Sequence, residues 1–178
     1  MRLFIAFDVP DDAKEYMAKV QGIIGNNLAE IRWVKKEQMH LTLKFLGEVQ
    51  PDIATKIREE LGKIRFDSFM VYLNSIGVFP NENYIRVVWI GLEPEKRIIG
   101  LQRGIDEKLK KLFKKEKDFK AHITLGRVKY VGNKEQFFSK LKSIKAEKKS
   151  FRVDSFKLMK STLTWQGPVY EVVEEFKA

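Results

Sequence analysis

The sequence predicts an α+β domain built from two similar halves, and three observations carry that prediction. Apolar runs with the alternation of strands are interleaved with segments whose apolar residues recur at helical spacing. No Gly/Ser-rich or Pro-rich stretch divides the 178 residues, a length that suits one compact domain, residues 1–178, burying roughly 70% of its surface. The order of elements also repeats. A strand at His40, a helix near Asp52 and a strand near Phe66 are echoed by a strand at His122, a helix near Asn133 and a strand near Phe151.

Taken in order, Met1–Val9 reads as a strand that stops at Pro10 and two aspartates. Ala13, Tyr16, Met17, Val20, Ile23 and Ile24 then fall on one helical face, which Gly25-Asn26-Asn27 ends. Ile31–Val34 and His40–Val49 alternate as strands, and Pro51-Asp52 opens a helix with Ile53, Ile57 and Leu61 on its buried side. Phe66–Phe79 and Tyr84–Leu92 flank a turn at Pro80-Asn81-Glu82-Asn83. A helix from Pro94-Glu95 buries Ile98, Leu101, Ile105, Leu109 and Leu112, and Phe119–Tyr130 returns as strand. Gly132-Asn133 starts the last helix, carrying Phe137, Phe138, Leu141 and Ile144. Phe151–Lys160 and a pair of strands about Gln166-Gly167-Pro168 close the chain.

Composition narrows the chemistry. Hydrophobic content of 44%, with 13 Phe and 3 Trp, excludes an intrinsically disordered chain. With no cysteine, a disulfide scaffold, a thiolate zinc site, an iron–sulfur cluster and a Cys nucleophile are all excluded. Leu3–Phe7 is too short for a signal h-region, and no apolar run reaches membrane-spanning length, so a soluble, cytoplasmic protein with no membrane partner is expected. The 34 Lys+Arg outnumber the 24 Asp+Glu and leave a formal charge of +10, which favours polyanionic partners. A Lys-rich surface serving solubility accounts for that charge equally well.

The two histidines stand in matched surroundings, His40-Leu41-Thr42-Leu43 and His122-Ile123-Thr124-Leu125. From average composition, a His followed by aliphatic, Thr and Leu occurs with a chance on the order of one in a thousand. Period-two alternation projects His and Thr from one face of each strand while the aliphatic residues anchor the other. Two such strands across a cleft supply two imidazoles and two hydroxyl donors. Histidine, with an unperturbed pKa of about 6.5, serves as either acid or base near neutrality, and threonine hydroxyls can donate to phosphoryl oxygens as charge builds on them. This equipment performs acid–base chemistry on a phosphodiester and calls for no metal or other cofactor.

On these motifs the sequence resembles the RNA 2′,3′-cyclic phosphodiesterase (2′-5′ RNA ligase-like) family of the two-histidine, or 2H, phosphoesterase superfamily. The likeness spans nearly the whole chain. It includes Arg2–Ala6, Arg32-Trp33-Val34, His40–Gly47, Arg86–Leu92, Ala121–Arg127 and, near the end, Ser161, Leu163, Gly167 and Tyr170. It implies a bilobal, pseudo-twofold α+β fold with a water-filled cleft between two antiparallel sheets. It further implies hydrolysis of RNA 2′,3′-cyclic phosphate ends to 2′-phosphates, with His40 as proton donor and His122 as proton acceptor. The residue types alone leave that direction open.

Arg127, five residues after His122, occupies the place where the family carries a phosphate-contacting arginine. Strict alternation would put it on the face opposite His122, so a bulge at Gly126 is required to re-aim it. Phe45 holds the matching place after His40 and is a candidate for stacking on a base, with core packing as the competing explanation. Trp165, beside the Gln166-Gly167 turn, is the tryptophan expected at the cleft, whereas Trp33 and Trp89 are expected to pack the lobes. Lys108, Lys110, Lys111, Lys114, Lys115, Lys117 and Lys120 form a run that either tracks RNA phosphates or is simply a solvated face. The expected partner is RNA with a cyclic phosphate terminus, tRNA halves included, bound by a monomer. Three alternatives stand beside hydrolysis of RNA ends: 2′-5′ ligation of tRNA halves at the same site, by microscopic reversibility; non-catalytic RNA binding on the same scaffold; and, as the resemblance to the superfamily implies, hydrolysis of a small cyclic nucleotide or of ADP-ribose cyclic phosphate.

Overall fold

The structure, a computed structural model, describes residues 1–178. Nine strands and four α-helices follow one another as β1 (Arg2–Asp8), α1 (Asp11–Ile24), β2 (Ala29–Trp33), β3 (His40–Glu48), α2 (Pro51–Leu61), β4 (Phe69–Asn81), β5 (Tyr84–Glu93), α3 (Glu95–Leu109), β6 (His122–Val131), α4 (Lys134–Ser143), β7 (Ser150–Val153), β8 (Ser155–Thr164) and β9 (Gly167–Lys177). A four-stranded sheet has the order β3-β1-β8-β9 and a five-stranded sheet the order β2-β6-β5-β4-β7, with every pairing antiparallel. The α+β fold with two antiparallel sheets is as expected.

The helix boundaries follow local chemistry. Proline occupies the first position of α2, where its missing N–H would have no partner anyway. The Asn133 side chain caps α4 by accepting from the Gln136 N–H at 2.9 Å. Apolar faces of the helices meet the backs of the sheets: α1 lies behind β6 and α3 behind β3, and their buried residues, Met17, Val20, Ile98 and Ile105 among them, join one continuous apolar core.

The two halves are interlaced. The strand after α2, β4, leaves the sheet that holds β3 and enters the other one. In the second half the segment after α4 divides. β7 joins the sheet of β6, and β8 crosses to the sheet of β3. The single strand expected over Phe151–Lys160 is therefore two strands, broken at Asp154. The reason is positional: Phe151 and Val153 pair with the end of β4, whereas Phe156 and Leu158 lie on the four-stranded sheet, so the chain must turn between them. The second histidine strand also begins only at His122, with Phe119–Ala121 as irregular backbone.

Candidate active site

Both sheets turn one face towards a shared cavity of about 790 Å³. His40 and Thr42 reach it from β3, and His122 and Thr124 from β6, so the four motif side chains converge on one space. Behind them Leu41, Leu43, Ile123 and Leu125 are buried, which is the alternation read from the sequence.

A bulge in each motif strand reverses that alternation. On β6, Thr124 pairs with Trp89 and Gly126 with Val88, which leaves Leu125 as the extra residue; from there Arg127 shares the face of His122 and lines the cavity. On β3, Thr42 pairs with Ala6 and Lys44 with Ile5, so Leu43 is extra and Phe45 is re-aimed in the same way. Phe45 is 69% exposed, which rules out core packing. The first bulge follows from the requirement on Arg127; the second has no counterpart signal in the sequence, because Lys44 stands where β6 has Gly126. At Gly126 the missing side chain is needed: a Cβ there would stand 2.5 Å from Ile31 Cγ2 and 2.7 Å from Trp33 Cε3.

Polar side chains pin both bulges from behind. The Gln21 amide on α1 donates to the carbonyl of Leu125 at 2.9 Å and to that of Val34 at 2.8 Å. Lys44 is buried and donates to Asp106 Oδ1 at 2.5 Å and to the Lys114 carbonyl at 2.7 Å. The second oxygen of Asp106 accepts from Gln102 Nε2 at 2.9 Å and from the Glu116 N–H at 2.8 Å. Burial alone would raise the Asp106 pKa, yet the hydrogen bonds from Lys44, Gln102 and Glu116 outweigh it and hold the carboxyl below its usual range. The contacts that matter most, Gln21 with Leu125 and Lys44 with Asp106, join residues 104 and 62 positions apart and are not legible in the sequence.

The histidines are held by similar means. His122 Nδ1 lies 2.6 Å from the carbonyl of Lys120. A carbonyl only accepts, so Nδ1 carries the proton and the lone pair of the neutral ring is on Nε2. The backbone of Gln38, again two residues earlier, favours the charged form of His40. His40 stacks on Phe4 with ring centroids 5.0 Å apart and meets Tyr170 edge-on at 5.1 Å. Phe79 stands edge-on to His122 at 4.9 Å, and Trp89, packed against Phe79 at 5.0 Å, lies on the same side of the imidazole at 6.0 Å.

Those aromatic walls set the ionisation. Burial pushes His40 down to about 4, although the Asp8 carboxylate and the Gln38 bond favour the charged ring. Burial also lowers His122; its backbone bond opposes the shift and the Lys120 charge adds to it. Both rings are therefore neutral in the free protein at pH 7. The electrostatic surroundings are unequal: the cross-strand partner of His40 is Asp8, which is itself paired with Lys157, whereas that of His122 is Gly91.

Trp165 does not line the cavity. It is the first residue of the two-residue turn between β8 and β9, 92% exposed, and Gln166 is the turn residue that faces inward. Among the tryptophans the cavity is lined by Trp33, while Trp89 is buried as expected. The lysine run is also away from the cavity: Lys110 and Lys115 pair with Glu107, Lys120 pairs with Glu95, and none of the seven lysines is among the lining residues. The solvated-face explanation fits that placement. Tyr170, Phe79, Arg2 and Arg32 also line the cavity; Arg2, Arg32 and Tyr170 lie within the family-like stretches of the sequence, whereas Phe79 carries no such signal.

Two His-x-Thr strands facing one cavity across interlaced halves define a phosphoesterase of the two-histidine class. Comparison with known proteins agrees: the model for "LigT like Phosphoesterase" matches residues 7–89 and again 90–170, one match per half, and the chain belongs to that family. A Methanocaldococcus jannaschii protein named RNA 2′,3′-cyclic phosphodiesterase is 41% identical over 99% of this chain and 100% of its own length. Among solved structures, a Thermus thermophilus protein superposes with a TM-score of 0.83 at 28% identity, covering 99% of this chain and 97% of its own. Escherichia coli LigT complexed with 3′-AMP gives a TM-score of 0.80 at 25% identity, covering 99% and 97% respectively.

Proposed function

We propose that this protein hydrolyses the 2′,3′-cyclic phosphate at an RNA end to a 2′-phosphate. One observation carries the reading: two imidazoles, that of His122 fixed through Nδ1 to the carbonyl of Lys120, face a single cavity beside two threonine hydroxyls. The activity of the named relatives supports the substrate class.

In this reaction a water oxygen attacks phosphorus and the bond from phosphorus to the 3′ oxygen breaks. His122 takes the proton from the water, and His40 gives one to the departing 3′ oxygen. Thr42 and Thr124 donate to the non-bridging oxygens, and Arg127 neutralises the phosphoryl charge with a guanidinium fork. Phe45, held outward at the cavity rim, stacks on the terminal base; Trp165 offers a second stacking face to RNA beyond the cavity. Because both rings are neutral before binding, the donor must acquire its proton as the anionic substrate arrives.

The test is an oligonucleotide ending in a 2′,3′-cyclic phosphate, incubated with the protein and excess chelator. Release of a 2′-phosphate end is expected. Unchanged termini despite tight binding would overturn the reading in favour of a binding protein. Joined product from added 5′-hydroxyl RNA, without hydrolysis, would overturn it in favour of ligation.

A further inference from the structure

Three arginines line the cavity, Arg2 on β1, Arg32 on β2 and Arg127 on β6. Arg32 and Arg127 are directly opposite each other in the β2–β6 pairing. None of the three guanidiniums has an ion-pair or hydrogen-bond acceptor in the protein; Lys35 adds a fourth cation, and the cavity lining contains no Asp or Glu. Like charges directly opposite on paired strands are destabilising. Carboxylates are plentiful elsewhere, 24 Asp+Glu in the chain, and none of them is in this lining.

The arginines also gather at one end. Arg32 spans the gap between the sheets: its Nη2 lies 3.7 Å from where a Cβ would stand on Gly167, the first residue of β9 in the other sheet. Gly167, at φ +115°, adopts a backbone that side-chain-bearing residues avoid. The β8–β9 turn is held there by Gln38, whose Nε2 donates to the Pro168 carbonyl at 2.7 Å. Burial raises the pKa of Tyr170, while the charges of Arg127 and Arg2 lower it, which places both cations within the field of one hydroxyl.

One cyclic phosphodiester carries a single negative charge, and Arg127 suffices to meet it. We infer that Arg2 and Arg32, with Arg127 shared, form a second anion subsite that takes the phosphodiester linking the terminal nucleotide to the one before it. The inference rests on the proposed hydrolysis of RNA ends and deepens it: the substrate is an oligonucleotide, recognised by a charged linkage as well as by its cyclic end. The surplus of cations is then matched by the polyanion.

The test uses two dinucleotides with the same cyclic phosphate end, one with an ordinary internal phosphodiester and one with an uncharged methylphosphonate linkage. At low salt kcat/KM for the charged dinucleotide should exceed that for the neutral one by about tenfold or more, as a charge-assisted contact provides. The gap should shrink as salt rises, and Arg32→Gln and Arg2→Gln should each narrow it. Equal turnover of the two dinucleotides by the unaltered protein would overturn the subsite. Equilibrium binding of the corresponding 2′-phosphate dinucleotides provides an independent arm. If neither substrate is cleaved but the charged product analogue still binds about tenfold tighter, hydrolysis fails and the subsite stands. Equal binding overturns the subsite.

Discussion

Asp106→Ala removes the carboxylate that meets Lys44 and leaves a buried ammonium with only the Lys114 carbonyl. The side chains of Lys44 and Asp106 are 3% and 5% exposed, so neither water nor salt screens the loss. Breaking such a pair from one side costs about 3–5 kcal/mol. At about 2–4 °C per kcal/mol for a chain of this size, the thermal midpoint should fall by roughly 6–20 °C at pH 7. Circular dichroism melting measures this directly. Lys44→Met/Asp106→Leu, which removes both charges, should recover most of the loss. The sign with pH follows from the depressed Asp106 pKa: its contribution is complete above the unfolded value of about 3.9 and is lost as pH falls through the lower folded value. The difference between Asp106→Ala and the unaltered protein should therefore narrow in acid. A midpoint within about 2 °C of the unaltered protein at pH 7 would refute the reasoning, because it would mean that the pair is neither buried nor coupled.

Further outcomes follow from the site. Gln21→Met leaves the Val34 carbonyl and one lone pair of Leu125 without their donor, at about 1–3 kcal/mol of stability. Because Gln21 pins the bulge that aims Arg127, steady-state kinetics should show KM rising more than kcat falls. For His40, whose folded pKa of about 4 lies below the unfolded 6.5, stability is complete above about pH 6.5 and lost as pH falls towards 4. The loss is on the order of 3 kcal/mol, and His40→Gln should flatten that part of a denaturation-versus-pH curve. Binding of a 2′-phosphate mononucleotide at pH 7 should take up protons, read as a dependence of calorimetric heat on buffer ionisation; no uptake would mean that neither neutral ring becomes charged. Phe45→Ala should weaken RNA affinity by about 1–3 kcal/mol, the worth of one base stack.

The parts of this architecture carried by local pattern were legible in advance. The alternation in His40–Leu43 and His122–Leu125, the capping Asn133 and the proline that opens α2 each depend on a few neighbouring residues, and each appears where the pattern puts it. The requirement that Arg127 face the cavity even located the bulge near Gly126. What stayed hidden depends on pairing at long range. The break at Asp154 reflects which strands β7 and β8 meet, β4 and β1 respectively, both far back in the chain. Lys44 looks in sequence like one more surface lysine, and only Asp106, brought over by α3, makes it a core residue. Trp165 was expected at the cleft because it adjoins the turn, yet a two-residue turn sends its successive side chains to different sides, and Gln166 took the inward place.

The most direct test measures kcat/KM on a cyclic phosphate RNA end for His40→Ala, His122→Ala and the double variant. If both rings act in one transition state, each single substitution should cost about 10²–10⁴-fold, and the double variant should lose far less than the product of the two, since half of an acid–base pair is of little use alone. Near-normal turnover by either single variant would contradict the account, as would losses that simply multiply.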